Sequence, residues 1–203
     1  MKACCWIFEW IFHLAHPNSS QLIPYTGSAM TSKIPTIKLY NGVEMPQMSL
    51  GLAFWNVKEG GVKDSPNFVG FLPEKVYRSL HMALEAGIRG IDTALIYRSH
   101  VQIRHVLGDW FASGKLKRED VFIATKVYHP YNPLATWSTC AGNPDCLSPA
   151  QVAKMVEDHI ERSLEELGVG YIDLLFMHWP AQFDSKDALN GQRRLAAWKV
   201  FER

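Results

Sequence analysis

Gly90-Ile91-Asp92-Thr93-Ala94-Leu95-Ile96-Tyr97 brings a short apolar run to an acid and sets a tyrosine five residues beyond it. Ile91 and its neighbours read as a strand. After Tyr97 the pattern changes period: Ser99-His100-Val101-Gln102 has the Ser-x-x-Gln form of a capping box, and Ile103, Val106, Leu107 and Trp110 follow at helical spacing. Asp92 and Tyr97 therefore stand in a strand-to-helix connection. In parallel α/β proteins chemistry is built at the carboxyl ends of strands and in the loops that follow them.

Upstream, Pro73 suits a first helical turn, Val76, Leu80, Ala83 and Leu84 recur at three and four, and Gly87 ends the helix. Residues 53–72, rich in Gly, Lys, Asp and Pro, read as a loop, and Met48 to Leu52 as a strand. Before them Thr36 to Tyr40 alternates, Asn41-Gly42 predicts a two-residue turn, and Val43 to Met45 return as the second arm of a hairpin.

Downstream, the second helix stops at Gly114, and Lys115 to Asp120 reads as a solvated connection. Val121 to Thr125 is a continuous apolar, β-branched run that predicts a buried strand ending in Lys126. An irregular stretch with three prolines spans 128–147. Ser148-Pro149-Ala150-Gln151 is a second capping box, and Val152, Val156, Ile160, Leu164 and Leu167 mark one helical face up to Gly168. Tyr171 to Met177 reads as the next strand, ending in His178-Trp179-Pro180, and a further helix is under way by Arg194.

The order is a hairpin followed by strand and helix four times over, which predicts a parallel sheet with crossover helices. No Gly-x-Gly-x-x-Gly follows the first strand, and polar residues stand at three successive strand ends, so the pattern favours a barrel over a doubly wound sheet.

The 21 basic and 20 acidic residues nearly cancel, so no charged surface argues for nucleic acid or lipid. Cys4, Cys5, Cys140 and Cys146 lack the paired spacing of a zinc site or a disulfide scaffold, which makes a reducing, cytoplasmic compartment the default and predicts no metal. Residues 1–29 differ in composition from the rest: a short apolar run after Lys2 is broken by Glu9 and His13, and a polar stretch follows Pro17. They read as a poorly ordered extension or linker, with a targeting peptide as the alternative. The folded part is expected over residues 30–203.

Asp92, Tyr97, Lys126 and His178 make chemical sense together. A phenol titrates near ~10 and donates a proton poorly at neutral pH unless its anion is stabilised. Lys126 is the expected cation, held charged by Asp92, while His178 is suited to donate to a substrate oxygen. Such a set protonates an oxygen as hydride reaches a carbonyl carbon.

Three separated stretches also resemble one family in the right order: Gly87-Ile88-Arg89-Gly90-Ile91-Asp92-Thr93-Ala94-Leu95-Ile96-Tyr97, Lys117 to Lys126, and Leu164 to Pro180. They look like the aldo-keto reductases, from about Ile34 to the last residue. The resemblance implies a TIM-type (β/α)8 barrel of which about the first four βα units are present, with the amino-terminal β-hairpin closing its bottom. It implies NADPH (NADP+) as cofactor, a small aldehyde or ketone as substrate, a monomer for the complete barrel, and no nucleic-acid or membrane partner. It makes Tyr97 the general acid, Lys126 and Asp92 its tuning pair, and His178 the carbonyl-orienting group. Phe54, Trp55 and Asp92 would face the cofactor; Trp55, Tyr128, His178 and Trp179 would surround the substrate.

Some positions depart from the family pattern. Ala53-Phe54 stands where Gly-Thr is common, and His100 and Arg104 stand where a glutamate and a glycine are usual. The resemblance assigns four further βα units, with most contacts to the cofactor's phosphates, adenine and nicotinamide, to sequence beyond these residues. Two expectations follow: a reductase whose sequence is incomplete here, or a non-catalytic barrel fragment that associates with another chain.

Overall fold

A computed structural model describes residues 34–56, 70–127, 147–178 and 189–203, with backbone only at 55, 56, 70 and 71. The amino-terminal extension and most of the 128–147 stretch lie outside the described residues.

Strands β1 (Thr36–Lys38) and β2 (Glu44–Pro46) form the expected antiparallel hairpin. Its turn differs from the Asn-Gly prediction. Leu39 N–H donates to Val43 O at 2.8 Å and Gly42 N–H to Leu39 O at 2.9 Å, so Tyr40, Asn41 and Gly42 make a three-residue loop.

β3 (Ser49–Gly51) begins the main sheet. The predicted loop after it contains a small antiparallel ladder, β4 (Trp55–Asn56) on β5 (Gly70–Phe71). Helix α1 (Pro73–Glu85) follows with proline in its first turn and Val76, Leu80 and Leu84 buried. Then come β6 (Gly90–Asp92), α2 (His100–Ala112), β7 (Phe122–Val127), α3 (Pro149–Leu167), β8 (Leu174–Met177) and α4 (Asn190–Phe201). The last core strand is thus shorter at its start than the expected 171–177.

The main sheet is parallel, with the order β3-β6-β7-β8 matching chain order, and a helix follows each strand: four consecutive βα units. β3 and β6 approach closely. A Cβ built on Gly90 would lie 2.3 Å from Ser49 Oγ and 2.6 Å from the Met48 carbonyl, so only glycine fits there.

Strand alternation sorts the side chains. Leu52, Ile91 and Ile123 turn toward α1 and α2, where Leu80, Leu84, Ile103 and Leu107 complete one core cluster. Val127 turns toward α3 and α4, where Val152, Val156, Ala197 and Val200 form the second. Burial of each such aliphatic side chain stabilises by about 1.5–3 kcal/mol. Asp92, Lys126 and Phe176 fall on the opposite, inner face.

The Ser148 capping box forms as predicted: Gln151 N–H donates to Ser148 Oγ and Ser148 N–H to Gln151 Oε1. The one at Ser99 does not. Ser99 makes no side-chain cap, and its hydroxyl pairs instead with Thr93 Oγ1 at 2.9 Å, because a buried partner outcompetes a local backbone bond. Nor is 115–120 only solvated. Arg118 donates to Val169 O, Val121 O, Tyr171 O and Asp173 Oδ2 at 2.6–3.2 Å, and its guanidinium lies 3.8 Å from the Tyr171 ring centroid. It ties the entry of β7 to the entry of β8.

Candidate active site

Three strand ends and one turn supply the site. Asp92 closes β6, and Thr93 N–H continues the ladder to Ala124 O at 2.9 Å. Asp92 is in register with Ala124, and Lys126 comes two residues later on the same strand face. Lys126 is 5% exposed, and its Nζ donates to Asp92 Oδ1 at 2.6 Å and to the Thr93 carbonyl at 2.9 Å. Those two acceptors compensate the burial of an ammonium group. His178 N–H continues the β8 ladder to Val127 O at 2.9 Å, which puts His178 one step past the Lys126–Phe176 register pair on the inner side.

Tyr97 hangs in a 3-10 turn, Leu95–Tyr97, ended by Arg98 at φ 57°. A non-glycine residue in that region stores strain of order 1–2 kcal/mol. The turn holds the Tyr97 ring 5.2 Å from Lys126 Nζ and, edge-on at 80°, 5.6 Å from the His178 ring. All four expected residues are thus brought together at one end of the sheet.

The electrostatics differ in one respect from the sequence reading. Lys126 was expected to pull the Tyr97 phenol down; instead burial, and then the Asp92 carboxylate, push it above its ordinary value. The ammonium is already engaged by Asp92 and Thr93 O, and it faces the ring. The phenol is therefore protonated at rest. Burial and the nearby Lys126 charge push His178 down to about 4, so its ring is neutral at pH 7.

Of the other expected residues, Phe54 is half-buried against the first core cluster, and the Trp55 backbone lies in β4. Tyr128 and Trp179 lie outside the described residues. Thr93, whose carbonyl receives Lys126, was missed because a backbone acceptor leaves no sequence signal. His100, noted only as a departure, proves fully buried. A surface cavity of about 490 Å³ lies elsewhere, between α1, α2 and the end of α3; Tyr77, Arg104, His105 and Asp109 line it, and none of the four site residues does. Among the described residues no group of three or more His, Cys, Asp or Glu is placed to hold a metal ion, and no helix is long and apolar enough to cross a membrane.

Comparison with known proteins adds a further observation: the sequence model of the Aldo/keto reductase family matches residues 55–202. The chain belongs to this family. An aldose reductase of Encephalitozoon cuniculi is 32% identical over 149 residues, covering 73% of this chain and 38% of the relative. Aldose reductase B of Dictyostelium discoideum is 36% identical over 109 residues, covering 54% of this chain and 29% of its own length. Among solved structures, the aldo-keto reductase AKR2E5 of the silkworm, Bombyx mori, is 31% identical with a TM-score of 0.59, covering 84% of this chain and 44% of that one. The same silkworm reductase has been solved in complex with NADPH. The chain therefore spans less than half the length of these relatives, and its four βα units are an arc of a TIM-type aldo-keto reductase barrel.

Proposed function

We propose that this protein is an NADPH-dependent oxidoreductase that reduces aldehydes or ketones to alcohols. Its proton donor is Tyr97, the Lys126–Asp92 pair sets the electrostatics beneath it, and His178 orients the carbonyl. The observation that carries this reading is the convergence of a protonated phenol, a buried ammonium held at 2.6 Å by a carboxylate, and a neutral imidazole at one barrel end.

A neutral His178 can donate one ring N–H to the carbonyl oxygen and so orient it toward Tyr97. Tyr97 gives its hydroxyl proton to that oxygen as negative charge develops there, and the phenolate left behind faces the Lys126 ammonium. NADPH, when bound, supplies the hydride. The residues present suit its nicotinamide end: Lys126 occupies one Asp92 oxygen, and the Asp92 side chain remains 32% exposed, with acceptor capacity for a carboxamide or hydroxyl. Phe54 and Trp55 are the apolar residues we assign to the cofactor's side of the site. We assign Trp55, Tyr128, His178 and Trp179 to the substrate surround, an aromatic set suited to an apolar carbonyl compound. On this reading residues 1–29 are assigned outside the catalytic unit, the complete barrel acts as a monomer, and four cysteines without the spacing of a disulfide scaffold favour the cytoplasm.

NADPH consumption with a small aromatic aldehyde tests the reading, in the chain and in Tyr97→Phe. Aldehyde-dependent turnover that falls about 10²- to 10⁴-fold in the variant supports it. Undiminished turnover in Tyr97→Phe overturns the assignment of the acid, and no turnover in either overturns the activity for this chain. A second reading, association without catalysis, draws on Phe176, which is 39% exposed on the end strand of the described sheet. Concentration-dependent association without turnover favours it.

A further inference from the structure

Behind the Lys126–Asp92 pair lies a layer of polar side chains that the proposed reaction does not touch. Thr93, Ser99, His100 and Thr125 are each 0% exposed. They pair among themselves: Thr93 Oγ1 with Ser99 Oγ at 2.9 Å, and His100 Nε2 with Thr125 Oγ1 at 3.0 Å. Polar groups buried this deeply are costly unless bonded, so each bond fixes a geometry.

The placement of those bonds is what matters. Thr93 follows Asp92 and gives its carbonyl to Lys126 Nζ. Thr125 precedes Lys126 and points to the helix side of β7 while Lys126 points inward. Ser99 and His100 directly follow the turn that carries Tyr97 and the left-handed Arg98. Ser99 thus ties that turn to the end of β6, and His100 ties it to the end of β7.

His100 also reaches a third element. Its Nδ1 stands 3.4 Å from Glu166 Oε2 on α3, a close approach without hydrogen-bond geometry, and Glu166 receives Arg162 Nε at 2.6 Å. His100 and Arg162 beside it hold the Glu166 carboxyl below the ordinary carboxylate range. One turn further along α2, Arg104 Nη1 points to Glu165 O at 3.4 Å, and its side chain lies over Gly168, where a Cβ would come within 2.8 Å of Nε. The two positions that depart from the family pattern therefore share one face of α2, and both engage the last turn of α3.

We infer that His100 is a positioning residue for the site: through Thr125 it fixes the turn that presents Tyr97 relative to the strand that presents Lys126. This rests on the reading of Tyr97 as proton donor, although the geometry it asserts exists without turnover. An aliphatic side chain of similar size would fill the space and leave the Thr125 hydroxyl buried without its imidazole partner.

The test places a ring-fluorinated tyrosine at position 97 and follows its fluorine NMR signal in the full chain, with no cofactor or substrate. His100→Gln keeps a polar nitrogen near the Nε2 position; His100→Asn is too short to reach Thr125; His100→Leu keeps volume alone. The expected result is a signal unmoved in His100→Gln and shifted by more than its linewidth in His100→Asn and His100→Leu. A signal unmoved in His100→Leu means that His100 only fills space, and a signal moved as far by Gln as by Leu means that the Thr125 bond is not the positioning contact; either overturns the inference. If His100→Leu does not fold by circular dichroism, the Gln and Asn pair decides by the same criterion. Because the readout needs no NADPH, a chain without reductase activity leaves this test standing.

Discussion

Tyr97 shows how one residue's chemistry is set by burial and by the charges that the fold brings beside it. Its phenol is raised by burial and by Asp92, while the Lys126 charge is absorbed by Asp92 and the Thr93 carbonyl. Removing that cation leaves Asp92 unbalanced beside the ring. Lys126→Met is therefore expected to push Tyr97 higher still, seen as a later phenol titration by ultraviolet difference against Tyr97→Phe. In reductase assays it should lower kcat by about 10²- to 10⁴-fold, and the double variant with Tyr97→Phe should lose little more than either alone, because the two act as one unit. Losses that multiply would show that Lys126 acts on something other than Tyr97.

Between elements, two joints stand out. Arg118 bridges β7 and β8 through three carbonyls and Asp173, whose Oδ2 also accepts from Ile123 N–H at 2.8 Å. Lysine keeps the charge and loses the planar fork that reaches several acceptors at once. Arg118→Lys is expected to cost about 2–3 kcal/mol in urea unfolding, since the Arg118 and Asp173 side chains are only 14% and 13% exposed. A change within experimental error would mean that the carbonyls are equally well served by water. At the second joint, Gly168 ends α3 at φ 61° under the Arg104 side chain. Gly168→Ala should lower stability by about 1 kcal/mol or more, from the left-handed backbone and the clash together. Pairing it with Arg104→Ala should recover the clash part and leave the backbone part, a non-additivity that a double-mutant cycle measures.

For the molecule as a whole, two half-buried histidines bear on stability in acid. Burial and Lys126 push His178 down to about 4, and burial and Arg162 push His159 on α3 down to about 4 as well. Between pH ~4 and ~6.5 the unfolded chain binds more protons at these sites than the native one, so their contribution is fully present above ~6.5 and is lost as pH falls toward ~4. The urea midpoint is expected to fall across that window, and His159→Gln should flatten part of the slope without touching the site. A midpoint independent of pH there would show that both rings titrate normally in the native protein.

The barrel class was legible because periodicity is a local property. The switch from alternation to helical spacing after Asp92, and again after Lys126, follows from which faces must be buried, and buried faces are written residue by residue. The placement of three of the four expected residues was legible for the same reason: Asp92, Lys126 and His178 stand at strand ends, and a parallel sheet carries strand ends to one side. What the sequence by itself left open was which partner several polar groups take. Ser99 had the form of a cap and became the tie to Thr93; Arg118 had the form of a solvated charge and became the clamp on β8; Lys126 takes the expected Asp92 and also the Thr93 carbonyl, which no residue type foretells. Each was decided by tertiary structure, because a polar group takes the partner that burial brings within about 3 Å, and that distance is fixed only when the strands and helices have packed.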